Sequence, residues 1–255
     1  MKKSYVLFSI VLTWLTVTVV SGQPKLKPTP KPPKDSKTST TAPVPTPTPA
    51  MTIVDAISAL KFREIGPAVM GGRVNDIEAS PNDARIVYAA TASGGIVKSV
   101  NGGTSWKTIF DKETVSSIGD VAISPSNPSI VWAGTGEANN RQSSSWGNGV
   151  YKSMDDGKTW KNMGLPNSFA IPRIVIHPQN PDVVYVAALG NLWAPGGERG
   201  VFKTRDGGKT WQHVLKVNDD TGATELAIDN ESPNILYAAM YQRRRAVFGF
   251  NGSGE

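Results

Sequence analysis

From residue 62 to residue 255 apolar and polar positions alternate in short runs, the spacing of half-buried strands, and no helical period is sustained over about ten residues. Ile118 to Ile123 is one such run and ends at a Ser-Pro turn; "SIVWAG" follows, rich in β-branched and aromatic residues. After a loop come "GVYKS", an Asp-Gly turn and "TWKNM". The same order returns with "DVVYVAA", "GVFKT" and "TWQHV". Trp106 and Trp160 are 54 residues apart, and Trp160 and Trp211 are 51 apart. Four strands per repeat of that length is the pattern of one propeller blade. The expected fold is therefore all-β: a β-propeller of four-stranded blades at about 62–110, 115–164 and 169–215, with a partial blade at 221–255. That is about three and a half blades, so the chain is expected to be incomplete, with further blades or another subunit closing the ring.

The turn that ends each third strand has its own chemistry. It reads "SVNGGTSW" at 99–106, "SMDDGKTW" at 153–160 and "TRDGGKTW" at 204–211. Asp155 and Asp206 offer a carboxylate to turn N–H groups, and Gly157 and Gly208 adopt positive φ without a Cβ penalty. Asn101 and Gly103 fill these places in the first copy; Asn keeps an acceptor oxygen and tolerates left-handed geometry. Trp106, Trp160 and Trp211 then start the outer strand and fold back over the turn. All nine residues are read as structural.

These turns resemble the Asp-box, or bacterial neuraminidase repeat. With "FREIGPAVMGGRVNDI" and "GTGEANNR", the blocks resemble the sortilin-type and glycosyl-hydrolase-like propellers of exported bacterial proteins. The resemblance implies a scaffold that recognises a protein, peptide or glycan at its loop face. Its alternatives are a glycoside hydrolase of sialidase-like or xyloglucan-hydrolase-like type and an envelope assembly factor. Sialidases bind a carboxylate with three arginines, and Arg73, Arg141 and Arg173 stand near comparable blade positions here. Xyloglucan-cleaving propellers carry Thr-Asp-Ile-Gly-Gly where this chain has "TASGG", which places Ala92 at the position of their catalytic Asp.

The ends of the second strands vary most between blocks: "TASGG", "GEANNRQSSSWGNG", "GNLWAPGGERG" and "YQRRRAVFGFNGSGE". Variable loops on a repeated frame are where binding resides. Trp146 and Trp193, outside the strand alternation, suit stacking on sugar rings or peptide side chains. Arg199, Tyr241 and Arg243 lie in the same segments and join them as candidate ligand contacts. Glu137 with Arg141 is the candidate charged pair. Hydrolysis of a glycosidic bond ordinarily takes two carboxyl groups, and Asp76 or Asp120, at matching places in the inner strands, would supply the second. The alternative is that Glu137 pairs within its loop and that both Asp residues bond to neighbouring blades. His177 and His213 fall in a turn and an outer strand without metal-ligand spacing, so no metal and no cofactor are expected.

Residues 1–50 are of another kind. Lys2 and Lys3, the apolar run Tyr5 to Val20 and the small residues Ser21 and Gly22 have the layout of a signal peptide over 1–22. Residues 23–50 hold nine of the nineteen prolines and no aromatic residue, the composition of a disordered spacer ahead of the body at 51–255. The expected destination is outside the cytoplasm or in the envelope, with no membrane span in the mature chain. The formal charge of +6 belongs to this leader: seven Lys stand against Asp35 alone, leaving twenty Lys/Arg and twenty Asp/Glu in the body. That balance excludes a nucleic-acid-binding body. There is no cysteine, so packing alone stabilises the fold.

Overall fold

The computed structural model describes residues 72–139, 143–246 and 249–253; the leader, the spacer and Arg141 lie outside them. Every regular element in that set is a strand. β1 (Val74–Ser80), β2 (Asp83–Thr91), β3 (Ile96–Ser99) and β4 (Lys107–Thr108) form the first sheet in sequence order. β5 (Ile118–Ile123), β6 (Val131–Thr135), β7 (Val150–Ser153) and β8 (Lys161–Asn162) form the second. β9 (Arg173–Ile176), β10 (Val184–Ala188), β11 (Gly200–Thr204) and β12 (Gln212–Leu215) form the third. All pairings are antiparallel, and the first strands lie side by side, β1 on β5, β5 on β9 and β9 on β13. This is the propeller arrangement expected.

The fourth sheet departs from expectation. After β13 (Thr221–Ile228), the segment read as a loop from Tyr241 onward continues the strand: β14 spans Leu236–Ala246 and pairs with β15 (Gly249–Ser253). Tyr241 and Arg243 are therefore strand residues. A hairpin satisfies the backbone groups that a loop of this length would leave to solvent.

The core lies between sheets. β6 shows why: Val131 and Ala133 face the first sheet, with Tyr88, Ile96 and Phe110, whereas Trp132 faces the third, with Ile174, Val184 and Phe202. In β10, Val184, Val186 and Ala188 face the second sheet, and Tyr185 and Ala187 the fourth. Strand side chains alternate between faces, so a sheet packed on both sides needs apolar residues at every position. β6 and β10 accordingly read as continuous apolar runs and are buried throughout. Val74 and Ile77 on β1 and Tyr237 on β14 are exposed.

The Asp-Gly turns are built alike. Asp155 Oδ1 accepts from the Ser153 hydroxyl at 2.8 Å and the Thr159 N–H at 2.9 Å, and Oδ2 accepts from the Thr159 hydroxyl at 2.7 Å. Asp206 repeats this set with Thr204 and Thr210. In the first sheet Asn101 Oδ1 accepts the Ser105 N–H, and its amide donates to the Ser105 hydroxyl at 2.9 Å. Two successive residues take positive φ: Gly102 and Gly103, Asp156 and Gly157, Gly207 and Gly208. Asp156, at φ 61, is the one non-glycine among them.

The tryptophans do more than cover their own turns. Trp160 Nε1 donates to the Ile109 carbonyl at 2.9 Å, and Trp211 Nε1 to the Met163 carbonyl at 2.8 Å, each in the preceding sheet. Trp106 precedes β4 of the first described sheet, which has no described sheet before it, and is 45% exposed. A lysine staples the same junctions from the other side. Lys98 lies over the Tyr88 ring and donates to the Asp156 carbonyl, and Lys152 lies over Trp132 and donates to the Gly207 carbonyl. The second and third turns are thus each tied to the preceding sheet by their own tryptophan and by that sheet's lysine.

Candidate functional site

The first strands carry one charged residue each at a shared register position. Asp76 pairs with Ala90, Asp120 with Gly134, Arg173 with Ala187 and Glu225 with Ala239, a small partner in each second strand. A register shift precedes Asp76, Asp120 and Glu225, which aims the charged side chain along the row of sheets. Asp76 Oδ2 accepts the Val121 N–H at 3.2 Å, and Asp120 Oδ2 accepts the Ile174 N–H at 2.7 Å. Arg173 donates to Asp120 at 3.1 Å, lies 3.9 Å from Asp76 and holds Glu225 with two hydrogen bonds, at 2.5 and 3.1 Å.

One cation therefore stands among three carboxylates. Burial, and after it the like charge of Asp76, push the Asp120 carboxyl well above the usual carboxylate range; Arg173 and the Ile174 N–H offset this only in part. Burial and then Asp76 also raise Glu78. The guanidinium of Arg173 is held protonated, first by its hydrogen bonds to Glu225. Asp76 and Asp120 thus bond to neighbouring sheets, and Arg173 neutralises acids of three sheets.

Glu137 begins the loop after β6 and is 2% exposed. Its partner is Arg73 of the first sheet, through a short ion pair; Asn139 Nδ2 adds a hydrogen bond at 3.1 Å and also donates to Asn75 Oδ1. Asn75 in turn donates to the Ile118 carbonyl at 2.6 Å. An open concavity of about 540 Å³ lies here, lined in part by Arg73, Asn75, Asn139, Arg173 and Glu225. These residues present amide, guanidinium and carboxylate groups together, the donor and acceptor mixture that suits a polyhydroxylated ligand.

Trp146 closes the same loop. It is 53% exposed, with its edge against Phe169 at 5.5 Å and 85° between the rings. Trp193 is 44% exposed in the corresponding loop of the third sheet, where its N–H donates to Asn191 Oδ1. The two loops meet: Leu192, Trp146, Glu137 and Arg243 line one small cleft. Two half-exposed aromatic rings thus stand on adjoining loops.

Arg199 is a correction. Read from the sequence as a ligand contact, it is 1% exposed and donates to the carbonyls of Leu189, Asn191, Ala194, Gly196 and Asp220. It holds the Trp193 loop from beneath, and its charge is disfavoured first by burial and then by Arg244. Arg243 is 2% exposed and donates to the Asn139 carbonyl at 2.9 Å and the Ser144 hydroxyl at 3.4 Å. Tyr241 is half-buried beside it. Ala92 is buried, its N–H bonded to the Arg73 carbonyl.

The histidines are structural. His177 Nδ1 accepts turn N–H groups from Gln179 and Asn180, and His213 stacks on Phe202 at 4.3 Å. Among the described residues no group of three His, Cys, Asp or Glu is placed to hold a metal ion, and no helix is long and apolar enough to cross a membrane.

No family model matches the chain. It is 29% identical over 138 residues to a probable oligoxyloglucan-reducing end-specific xyloglucanase of Neosartorya fischeri, a match that covers 52% of this chain and 15% of that protein. An ancestral GH74 enzyme superposes with a TM-score of 0.54 and 23% identity, over 74% of this chain and 25% of the other. The GH74 enzyme of Niastella koreensis gives 0.52 and 20%, over 67% and 26%. The chain thus spans between 15% and 26% of the length of these relatives, and what it shares with the solved structures is the propeller fold.

Proposed function

We propose that the described sheets form the glycan-binding part of a propeller that acts on polysaccharide, with xyloglucan as its first candidate substrate. The observation that carries this reading is the pair of half-exposed rings, Trp146 and Trp193, on loops that meet at one cleft, with Trp146 in its lining. Rings of this size stack on the apolar faces of sugars while amides and charged groups meet the hydroxyls. The xyloglucanase named among the relatives supports the choice of glycan over protein or peptide. The turn pattern that resembles the Asp-box belongs to the frame in this reading.

Binding is the step we assign to these residues. Asp76 and Asp120 are committed to neighbouring N–H groups, Glu137 is committed to Arg73, and Ala92 has no acid to offer. The leader over 1–22 extends the proposal to an exported protein, since polymeric glycans are met outside the cell.

The test is isothermal titration of the full chain with xyloglucan oligosaccharides. Trp146→Ala and Trp193→Ala should each weaken binding about tenfold, or about 1.4 kcal/mol, without lowering Tm. Absence of binding, or variants that bind as the parent does, would sink the proposal.

A further inference from the structure

Arg199 and Arg243 are both buried guanidinium groups beneath a displayed tryptophan, and they differ in how their charge is met. Arg199 spreads its donors over five carbonyls. Among the described residues Arg243 makes two hydrogen bonds, both from Nη2 and both to neutral acceptors, and its Nε finds no partner there. No carboxylate lies within ion-pair reach of it among the described residues. An arginine does not escape burial by losing its proton near neutral pH, so a buried guanidinium without an anion is an uncompensated charge. Burial pushes its pKa down to about 10; Tyr241 offsets this in part, and the nearby cations Arg199 and Arg245 add to it.

Arg243 lines the cleft shared by Glu137, Ser144, Trp146, Phe169, Gly190 and Leu192. The volume of this cleft is about 10 Å³, room for one oxygen-sized group. Glu137, the one acid in the lining, is already neutralised by Arg73. The charge left over in the cleft is therefore positive, and its walls include the half-exposed Trp146 ring. A water molecule in that space would satisfy a hydrogen bond and leave the charge unmet.

We infer that this cleft is a subsite for an acidic sugar residue of the bound glycan, with one carboxylate oxygen entering toward Arg243 while the sugar ring lies against Trp146. The inference rests on the glycan-binding reading above and adds an acidic substituent to it. No bond is made or broken; the subsite selects by charge. The low dielectric that makes Arg243 costly when unpaired makes an entering carboxylate correspondingly effective.

The test compares a galacturonate oligosaccharide with a neutral xyloglucan oligosaccharide of equal length, by titration of the full chain at low and high salt. Free glucuronate and free glucose are run beside them as thermal-shift ligands. The acidic oligosaccharide should bind at least tenfold more tightly at low salt, with the preference shrinking as salt rises. Arg243→Gln should remove the preference and leave neutral binding in place. Arg243→Lys, which keeps the charge, should retain part of it if Arg243→Gln does not fold. Equal binding of the two oligosaccharides overturns the inference and leaves the glycan-binding reading standing, whereas binding of neither overturns both. A preference that survives intact in folded Arg243→Gln, or a response to free glucuronate without one to the oligosaccharide, also overturns it.

Discussion

Asp120 separates a catalytic carboxylate from a structural one. The carboxylate is 1% exposed, accepts the Ile174 N–H at 2.7 Å and faces Arg173 at 3.1 Å. Asp120→Ala removes a charged acceptor and leaves the Ile174 N–H buried and unsatisfied, a loss of about 2–4 kcal/mol. For a body of this size that lowers Tm by about 4–15 °C. Asp120→Asn keeps an oxygen for the Ile174 N–H and leaves Arg173 with Glu225 and Asp76, so its cost at pH 7 should stay within about 1 kcal/mol.

The pH dependence adds a sign. Burial raises the folded pKa of Asp120 above the unfolded value of about 3.9. Between those two values the folded chain binds more protons than the unfolded chain, so the slope of stability against pH is negative for this group. The parent should lose stability relative to Asp120→Asn as pH climbs from about 4 through the folded pKa, and the difference should be flat below about 4. Urea denaturation followed by tryptophan fluorescence from pH 4 to 8 measures both effects. The account fails if Asn costs as much as Ala, or if the parent gains on the Asn variant as pH rises.

Asp155→Ala should cost about 0.5–2 kcal/mol, by analogy with the loss of a helix N-cap acceptor, and Asp155→Asn much less, because Asn101 already serves the first sheet. The hydrogen bonds of Thr159 hold Asp155 down to about 2, so its contribution should persist above about pH 4 and fade as pH falls toward 2; thermal melts across that range test it. Trp160→Phe removes the bond to the Ile109 carbonyl and should cost about 0.5–1.5 kcal/mol in chemical denaturation, whereas Trp106→Phe, at a half-exposed ring, should cost less than about 0.5. Arg199→Met should destabilise by several kcal/mol, about 3–5, because five carbonyls lose their donor, while Trp193→Ala in the same loop should stay within about 0.5 by thermal melting.

What could be read from the sequence was what lies within a few residues. The Asp-Gly turn closes on itself within eight positions, so Asp155, Thr159 and Gly157 could be given their roles from spacing alone. Partners in different repeats could not. Glu137 was matched with Arg141, four positions away, while the residue that holds it, Arg73, is 64 positions earlier in another sheet. Arg199 escaped for a different reason: its acceptors are backbone carbonyls, which no side-chain letter reports.

One signal was present and underused. Aligning the blocks sets Asp76, Asp120, Arg173 and Glu225 in a single column, charged in every copy and differing in sign, which is the mark of a contact made between repeats. The same logic, run in reverse, points to function. A residue type that returns at its place in every repeat serves the frame, because each sheet must meet the next in the same way. A feature that only one or two repeats possess cannot be explained by that need. Trp146, Trp193 and the buried Arg243, which has no carboxylate partner among the described residues, are features of this second kind, and the two tryptophan loops meet strand β14 at one cleft.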